Sequence, residues 1–427
     1  MNVPGLEKEI GIEAYGTKTE GISGRLRQFP EDFKVEEVIE NGSTALIEPS
    51  NIVNITGHGR YLVCVLVKRN IDTFQAVQTV ANKLGINAER IQFGGIKDAN
   101  ALTAQHVSIG RMLPEHVTQV KTGNLWLYPV QFSNDKIHSG LLFGNKFHIN
   151  IRAISHPSST ITKRLENTNH ELVKLGGCPN FFGHQRFGTA RAITHIIGKH
   201  ILLDKWERAA LTFLAKPSLC EHPESREARQ RLLDNQDYKE ALSYFPPRLV
   251  YERKMLIHLA KQRKDFMGAF HRLPKRLCQL FVQAYQSYLF NRFLSQRIRD
   301  GMRLKKSLKG EYRLAINSED YVALPLIGYK QALSSGRQGE IETRILEEEG
   351  VAPQDFKVSI MPEISSKGGL RTALTQMINL ETAKPAKDDA NLDKRMLSLG
   401  FTLRKGSYAT IVLRESMKPK NPVKAGF

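Results

Sequence analysis

Cysteine is scarce and scattered. Cys64, Cys178, Cys220 and Cys278 form no C-x-x-C and no Cys/His cluster at zinc spacing, so neither a disulfide framework nor a structural metal is expected. The chain also lacks a P-loop, a G-x-G-x-x-G after a strand and a G-x-S-x-G elbow. Nucleotide-driven, dinucleotide and serine-hydrolase chemistry lose support accordingly. Nothing resembles a membrane span, and the opening MNVPGLEKEIGIEAYG lacks the basic-then-apolar order of a secretion signal. A cytoplasmic protein without a membrane partner is expected. Acid is the other shortage: 43 Asp and Glu stand against 62 Lys and Arg, a net charge of +19 over 427 residues. Such an excess favours a polyanion, because each neutralised phosphate releases condensed counterions. With 41% apolar residues the chain can bury a sizeable core, and its length allows two domains or one with a large insertion.

What is present begins with strand texture. Ser23 to Glu40, SGRLRQFPEDFKVEEVIE, alternates through Phe33, Val35 and then Val38 after the turn signal Phe29-Pro30-Glu31. Tyr61 to Val67 is a continuous apolar run of strand length. Asp72 is expected to cap a helix with Phe74, Val77, Val80, Ala81 and Leu84 on one face, closed by Gly85. Further strands are expected at Leu125 to Phe132 and at Lys146 to Ile154, and a polar amphipathic helix over Ser158 to Leu175.

From about Trp206 to about Leu370 the texture turns mainly helical. Leu277 to Ile298 is the longest helical pattern, and its Tyr285, Tyr288 and Phe290 are expected to pack. Arg272, Lys275, Arg276, Arg292, Arg297, Arg299, Arg303, Lys305, Lys306 and Lys309 surround it, a density expected to track phosphates. The segment from Glu319 to Glu349 reads as loop then polar helix. Arg371 to Leu380 returns to strand character, Ser398 to Leu413 reads as a hairpin with Tyr408 leading its second strand, and KPKNPVKAGF as a mobile basic tail. Strand texture at both ends around a helical middle implies an α+β chain: a sheet domain in two parts, 1–205 and 371–427, with a helical domain, 206–370, inserted.

Two stretches carry chemistry. Ile91 to Ile109, IQFGGIKDANALTAQHVSI, reads as strand, tight turn, strand, with Lys97-Asp98 just beyond Gly94-Gly95. A carboxylate on such a turn is a candidate active-site group, against the bland reading of a solvated loop. Cys178 to Arg191, CPNFFGHQRFGTAR, sets Phe181, Phe182 and Phe187 beside Asn180, a Gln and two arginines, Arg186 among them. Either the rings plug a core or they form a platform for an unstacked base.

Four segments together, RLRQFPEDFKVEE, GGIKDANALT, PNFFGHQRFG and LRKGSYATIVLRE, resemble the TruD family of tRNA pseudouridine synthases, in an archaeal-like form. The resemblance implies the mixed-sheet pseudouridine synthase catalytic domain, a mainly helical inserted domain with an RNA-binding cleft between them, and isomerisation of uridine to pseudouridine in tRNA, with nucleotide 13 the usual target. It implies no cofactor and no obligatory protein partner. Asp98 matches the family's catalytic aspartate, and Arg27 a basic position near it. Phe33, Asn180, Phe182 and Tyr408 match positions lining the target-nucleotide pocket. Arg27 and Tyr408 stand where bacterial members have lysine and phenylalanine. The basic residues Arg186, Arg272, Lys275, Arg276, Lys305 and Lys306 are expected to meet RNA.

The chemistry suits these residue types. An ionised carboxylate can meet positive character at C1′, either by attacking it or by removing a sugar proton to give a glycal. Aromatic walls desolvate that carboxylate and raise its pKa, so a cation within about 4 to 6 Å is needed to hold it charged. Arg27 is the expected partner, because neighbouring strand side chains point to opposite faces and Lys97 would point away. A non-catalytic RNA-binding or RNA-folding protein is the competing reading. A nuclease or methyltransferase lacks a histidine pair, metal cluster or cofactor loop.

Overall fold

Alternation of buried and half-exposed residues along Phe147, Ile149 and Ile151 places the longest strand, Leu142–Ile154, at the middle of a mixed sheet. The computed structural model describes residues 2–49, 55–316 and 319–427. Its main sheet contains β1 (Phe33–Ile39), β2 (Tyr61–Arg69), β3 (Leu102–Gly110), β4 (Leu125–Ser133), β5 (Leu142–Ile154), β6 (Ile378–Thr382) and β7 (Arg395–Arg404), in the order β6-β7-β5-β1-β3-β2-β4. Short strands Ile91–Phe93, Lys121–Thr122 and Ala386–Lys387 add to β3, β4 and β7. Among the described residues only β1 and β3 pair in parallel, Lys34 opposite Leu102, which brings the starts of both strands to one end of the sheet.

Helix α1 (Thr73–Leu84) begins where the Asp72 carboxylate accepts the Gln75 amide at 3.0 Å and ends at Gly85 in the left-handed region, φ 64°. Its Val77, Val80 and Ala81 are buried as the spacing predicts, but Phe74 is largely exposed and meets Phe93 edge-on. Helix α2 (Ser158–Leu175) buries Ile161, Leu165 and Leu172 on one stripe. After α3 (Thr194–Leu202), five helices between Trp206 and His271 lead to α4 (Lys275–Arg299), whose Tyr285, Leu289, Phe290, Phe293 and Leu294 are almost wholly buried. Helix α5 (Gly336–Glu349) packs on α4. One hydrophobic core runs from the sheet, through Phe33, Phe147 and Phe401, into these helices, through Phe281 and Phe290. Among the described residues no helix is long and apolar enough to cross a membrane.

Several expectations change. The turn in the Ile91–Ile109 stretch is not tight: the loop 94–101 separates Ile91–Phe93 from β3, because buried side chains hold that loop open, as described below. The 319–349 segment opens with a strand, Glu319–Leu326, which pairs with Tyr312–Ile316 and Gly369–Thr372. The expected hairpin at 398–413 is a strand followed by a helix. Gly406 takes φ 84°, Tyr408 caps, and Ala409–Met417 forms α6. Thr410, Ile411 and Val412 favour strand by propensity, but every residue of α6 is buried, and packing overrides the preference. Nor is the C-terminal tail mobile: Phe427 is 4% exposed, and the Ala425 carbonyl accepts the Leu26 amide at 2.8 Å.

The cations around α4 are divided. Arg297 is fully buried and binds both carboxylate oxygens of Glu311, while Arg292 pairs with Glu13, Glu348 and Glu349 and Arg299 with Glu13. Arg292 and Arg297 hold the core rather than a phosphate-tracking surface, because carboxylates already neutralise their guanidinium groups, while Arg299 is half exposed and shares Glu13 with Arg292. Arg272, Lys275, Arg276, Lys305 and Lys306 are exposed, with Lys275 near Glu363 at 3.7 Å and Lys305 near Glu319 at 3.5 Å.

Truncation after Asn421 removes the buried Phe427 and the backbone contacts of the tail. We expect the urea midpoint of unfolding to fall by the equivalent of about 3 kcal/mol or more; an unchanged midpoint would mean that the tail contributes no packing.

Candidate active site

Arg27 lies at a backbone conformation uncommon for any residue but glycine, φ 53°. The turn that holds it there is tied at its other end by Asp32, which accepts the Phe29 amide at 2.9 Å and the Arg152 Nε at 2.6 Å. Arg152 in turn exchanges backbone hydrogen bonds with Arg25. From this support the Arg27 guanidinium stacks on Phe33, 3.9 Å from the ring centroid, donates to the Gly426 carbonyl at 2.6 Å and reaches the Asp98 carboxylate at 3.1 Å. Arg27 is mostly buried and Asp98 more than a third exposed, so the carboxylate is paired yet open to an incoming molecule.

The loop bearing Asp98 is fixed from beneath. Lys68, 0% exposed, donates its ammonium to the carbonyls of Asp98 at 2.7 Å and Ile71 at 2.8 Å, and burial pushes its pKa down to about 8. The Lys97 amide donates to Thr73 Oγ1 at 3.0 Å. Lys97 turns from Asp98 toward the sheet and pairs with Glu37 at 2.6 Å. Burial opposes the charge on Glu37, but the hydrogen bond from His106 and the Lys97 ammonium prevail and hold its carboxyl below the usual range.

Over the exposed face of this pair lies a cavity of about 170 Å³, lined by Arg27, Phe33, Ile96, Asp98, Asn145 and Tyr408, among others. It is the size of a single base rather than of a nucleotide pair. The β1–β5 register sets Phe147 opposite Val35 and Asn145 opposite Glu37, so all four share one face of the sheet. The carboxamide oxygen of Asn145 is buried and has no hydrogen-bond partner. A wider cleft of about 530 Å³ adjoins, and Arg27, Asp98 and Gln185 line both.

Thus Arg27 and Phe33, Asp98 and Tyr408, from three distant parts of the chain, converge. Asn180 and Phe182 stand behind them. The Asn180 side chain is engaged on both atoms, donating to Thr372 at 3.2 Å and accepting from Arg371 at 2.7 Å. Phe182 meets Tyr408 edge-on at 6.0 Å, with the Arg371 guanidinium 4.1 Å from its ring centroid. Arg371 also donates to the Gly406 carbonyl, joining the 178–183 loop to the turn that presents Tyr408. Arg186 donates to Ser287 and Gln283 on α4. Asn145, Gln185 and Arg371 were not singled out from the sequence. Gly144-Asn145 inside an otherwise regular strand was the available signal, since a polar amide beside glycine in a buried strand asks for a partner.

The TruD model, tRNA pseudouridine synthase D, matches residues 9–321 and 313–416. The probable tRNA pseudouridine synthase D of Methanosarcina acetivorans is 38% identical over 447 residues, 98% of each chain, and that of Pyrococcus furiosus 35% over 439 residues, 97% of this chain and all of that one. The chain belongs to the TruD family. A crystal structure titled as that of the putative tRNA pseudouridine synthase D (TruD) from Methanosarcina mazei superposes with a TM-score of 0.80 at 35% identity, covering 99% of this chain and 100% of that one. The mixed sheet with its helical insertion is the architecture of this TruD chain, and the family assignment classes it as an isomerase.

Glu37→Gln should destabilise this member of the family by about 3 to 5 kcal/mol, because it leaves the buried Lys97 ammonium unpaired. Since the folded pKa of Glu37 is depressed, its contribution is present above the unfolded value near 4.3 and is lost as pH falls through the folded value. The gap in unfolding midpoint between wild type and Glu37→Gln should therefore narrow below about pH 4. A gap that is constant with pH would contradict the ion pair.

Proposed function

We propose that the chain isomerises uridine to pseudouridine in tRNA, at nucleotide 13, with Asp98 as the reacting carboxylate. The observation that carries this reading is a charge-paired carboxylate opening into a base-sized cavity that Tyr408 and Asn145 also line. In the reaction the C1′–N1 bond breaks, uracil leaves with the bonding pair and turns, C5 joins C1′, C5 loses its proton and N1 gains one. The sum is an isomerisation, and no oxidant, phosphate donor or cofactor enters it. Asp98 takes one of two parts. Its carboxylate attacks C1′ and is later displaced by C5, or it removes the C2′ proton to give a glycal and returns that proton to C2′ as C5 joins C1′. In both, Arg27 fixes the Asp98 carboxylate by a charge-assisted hydrogen bond at 3.1 Å.

Extruding the uridine costs a few kcal/mol of unstacking. Tyr408 offsets this, since stacking contributes about 1 to 3 kcal/mol per base, while Phe33, buried beneath the Arg27 guanidinium, supports the pair from below. Because the Asn180 amide is spent on Thr372 and Arg371, the uracil edge falls to Asn145, whose carboxamide lines the cavity and can both donate and accept. Asn180 and Phe182 then act one layer back, with Arg371, in holding Tyr408. Arg186, Arg272, Lys275, Arg276, Lys305 and Lys306 meet the phosphates of tRNA, and the protein works in the cytoplasm where that substrate is found.

The test uses tRNA carrying tritium at uracil C5, without added cofactor and at physiological salt. Wild type should release label and Asp98→Asn should not, while both bind. Retained binding with no release by wild type would leave an RNA-binding protein. Asn145→Ala should lower kcat/KM at least about tenfold with little change in unfolding midpoint; Asn180→Ala should lower the midpoint as well. The reverse pattern would return the edge-reading role to Asn180.

A further inference from the structure

Ile96 is 65% exposed, two residues before Asp98 and at the rim of the same cavity. A single exposed aliphatic residue is ordinary on a protein surface. Its setting is not, because the backbone on both sides of it is tethered to buried polar side chains. The Gly95 carbonyl accepts from Gln105 Nε2 at 3.1 Å. The Lys97 amide donates to Thr73 Oγ1, and the Asp98 carbonyl accepts from Lys68. Gln105, Thr73 and Lys68 are each 0% exposed. Three buried polar groups are therefore spent on holding a short surface loop in one shape, far more than a solvated turn requires.

The shape has a direction. Lys97 points down to Glu37 and is 8% exposed, while Ile96 and Asp98, on either side of it, face outward. The loop thus presents a carboxylate and a β-branched aliphatic group side by side to whatever approaches. Isoleucine is stiff at χ1 and, on a fixed backbone, loses little freedom when covered. When a uridine leaves a stack, its neighbours are left with an apolar gap, and aliphatic side chains inserted between base steps fill such gaps.

We propose that Ile96 is the wedge that enters the RNA stack as the target uridine turns into the cavity at Asp98, so that one rigid loop both opens the stack and delivers the reacting group. The inference rests on the pseudouridine synthase reading and assigns Ile96 a positioning role, with no part in bond breaking. It separates unstacking from chemistry, which a simple wall of the cavity would not do.

The experiment compares two substrates, whole tRNA and a single-stranded oligonucleotide bearing the same tritiated uridine, with wild type, Ile96→Ala and Ile96→Leu. Ile96→Ala should lose at least about tenfold more activity on tRNA than on the oligonucleotide, and Ile96→Leu should restore most of it. A second readout needs no turnover: 2-aminopurine placed beside the target uridine in whole tRNA should brighten when Asp98→Asn binds, and the added Ile96→Ala substitution should remove most of that rise. Equal losses on both substrates, no loss on either, or an unchanged fluorescence rise would each overturn the wedge. Absence of label release from tRNA by wild type would instead overturn the reading of the site on which it rests.

Discussion

A reacting carboxylate has to be held in one place, and the cation that holds it among aromatic rings needs its own support. Arg27 meets both demands: its guanidinium lies on Phe33, takes the Gly426 carbonyl and still reaches Asp98. Each partner arrives from a different part of the chain. Phe33 begins β1, Asp98 precedes the parallel β3, and Gly426 is the penultimate residue. The parallel pairing of β1 with β3 brings the first two to one end of the sheet, and the docked tail closes the arrangement. A sheet that was antiparallel throughout would send these strand starts to opposite ends.

Around this pair the chain invests buried charge. Lys68 and Lys97 both lie under the Asp98 loop, one bound to backbone carbonyls and the other to Glu37. Buried ions are a weak source of net stability, but they are demanding about geometry, and geometry is what the loop requires. On the far side Arg371 does similar work, fastening Asn180, Phe182 and Gly406 into the backing of Tyr408. Helix α4 completes the backing, since Asn291 bonds both the amide and the carbonyl of Phe182. The helical part is therefore packed into the wall of the site as well as flanking it.

Much of this was legible in residue order. The helix from Asp72 to Gly85, the turn ahead of Phe33 and the alternation through Phe147 each follow from local rules. The failures have physical causes. Thr410, Ile411 and Val412 read as strand because propensity is local, whereas their helix is set by burial on every side. Arg292 and Arg297 read as surface cations because their carboxylate partners, Glu13, Glu311 and Glu349, are distant or unremarkable in sequence. Asn145 was passed over because a lone polar residue in a strand gains meaning only when its partners can be counted, and its oxygen has none. Asn180 shows the converse, a polar residue in a suggestive loop whose partners turn out to be the protein itself.

The most direct measurement is the structure of the protein bound to tRNA with 5-fluorouridine at the target position, whose fluorine blocks loss of a proton from C5. The account predicts the fluorinated ring inside the cavity, with C1′ about 3 to 4 Å from the Asp98 carboxylate and the base edge in hydrogen-bond reach of Asn145. A well-ordered target base bound elsewhere, with the cavity closed to it, would contradict the account.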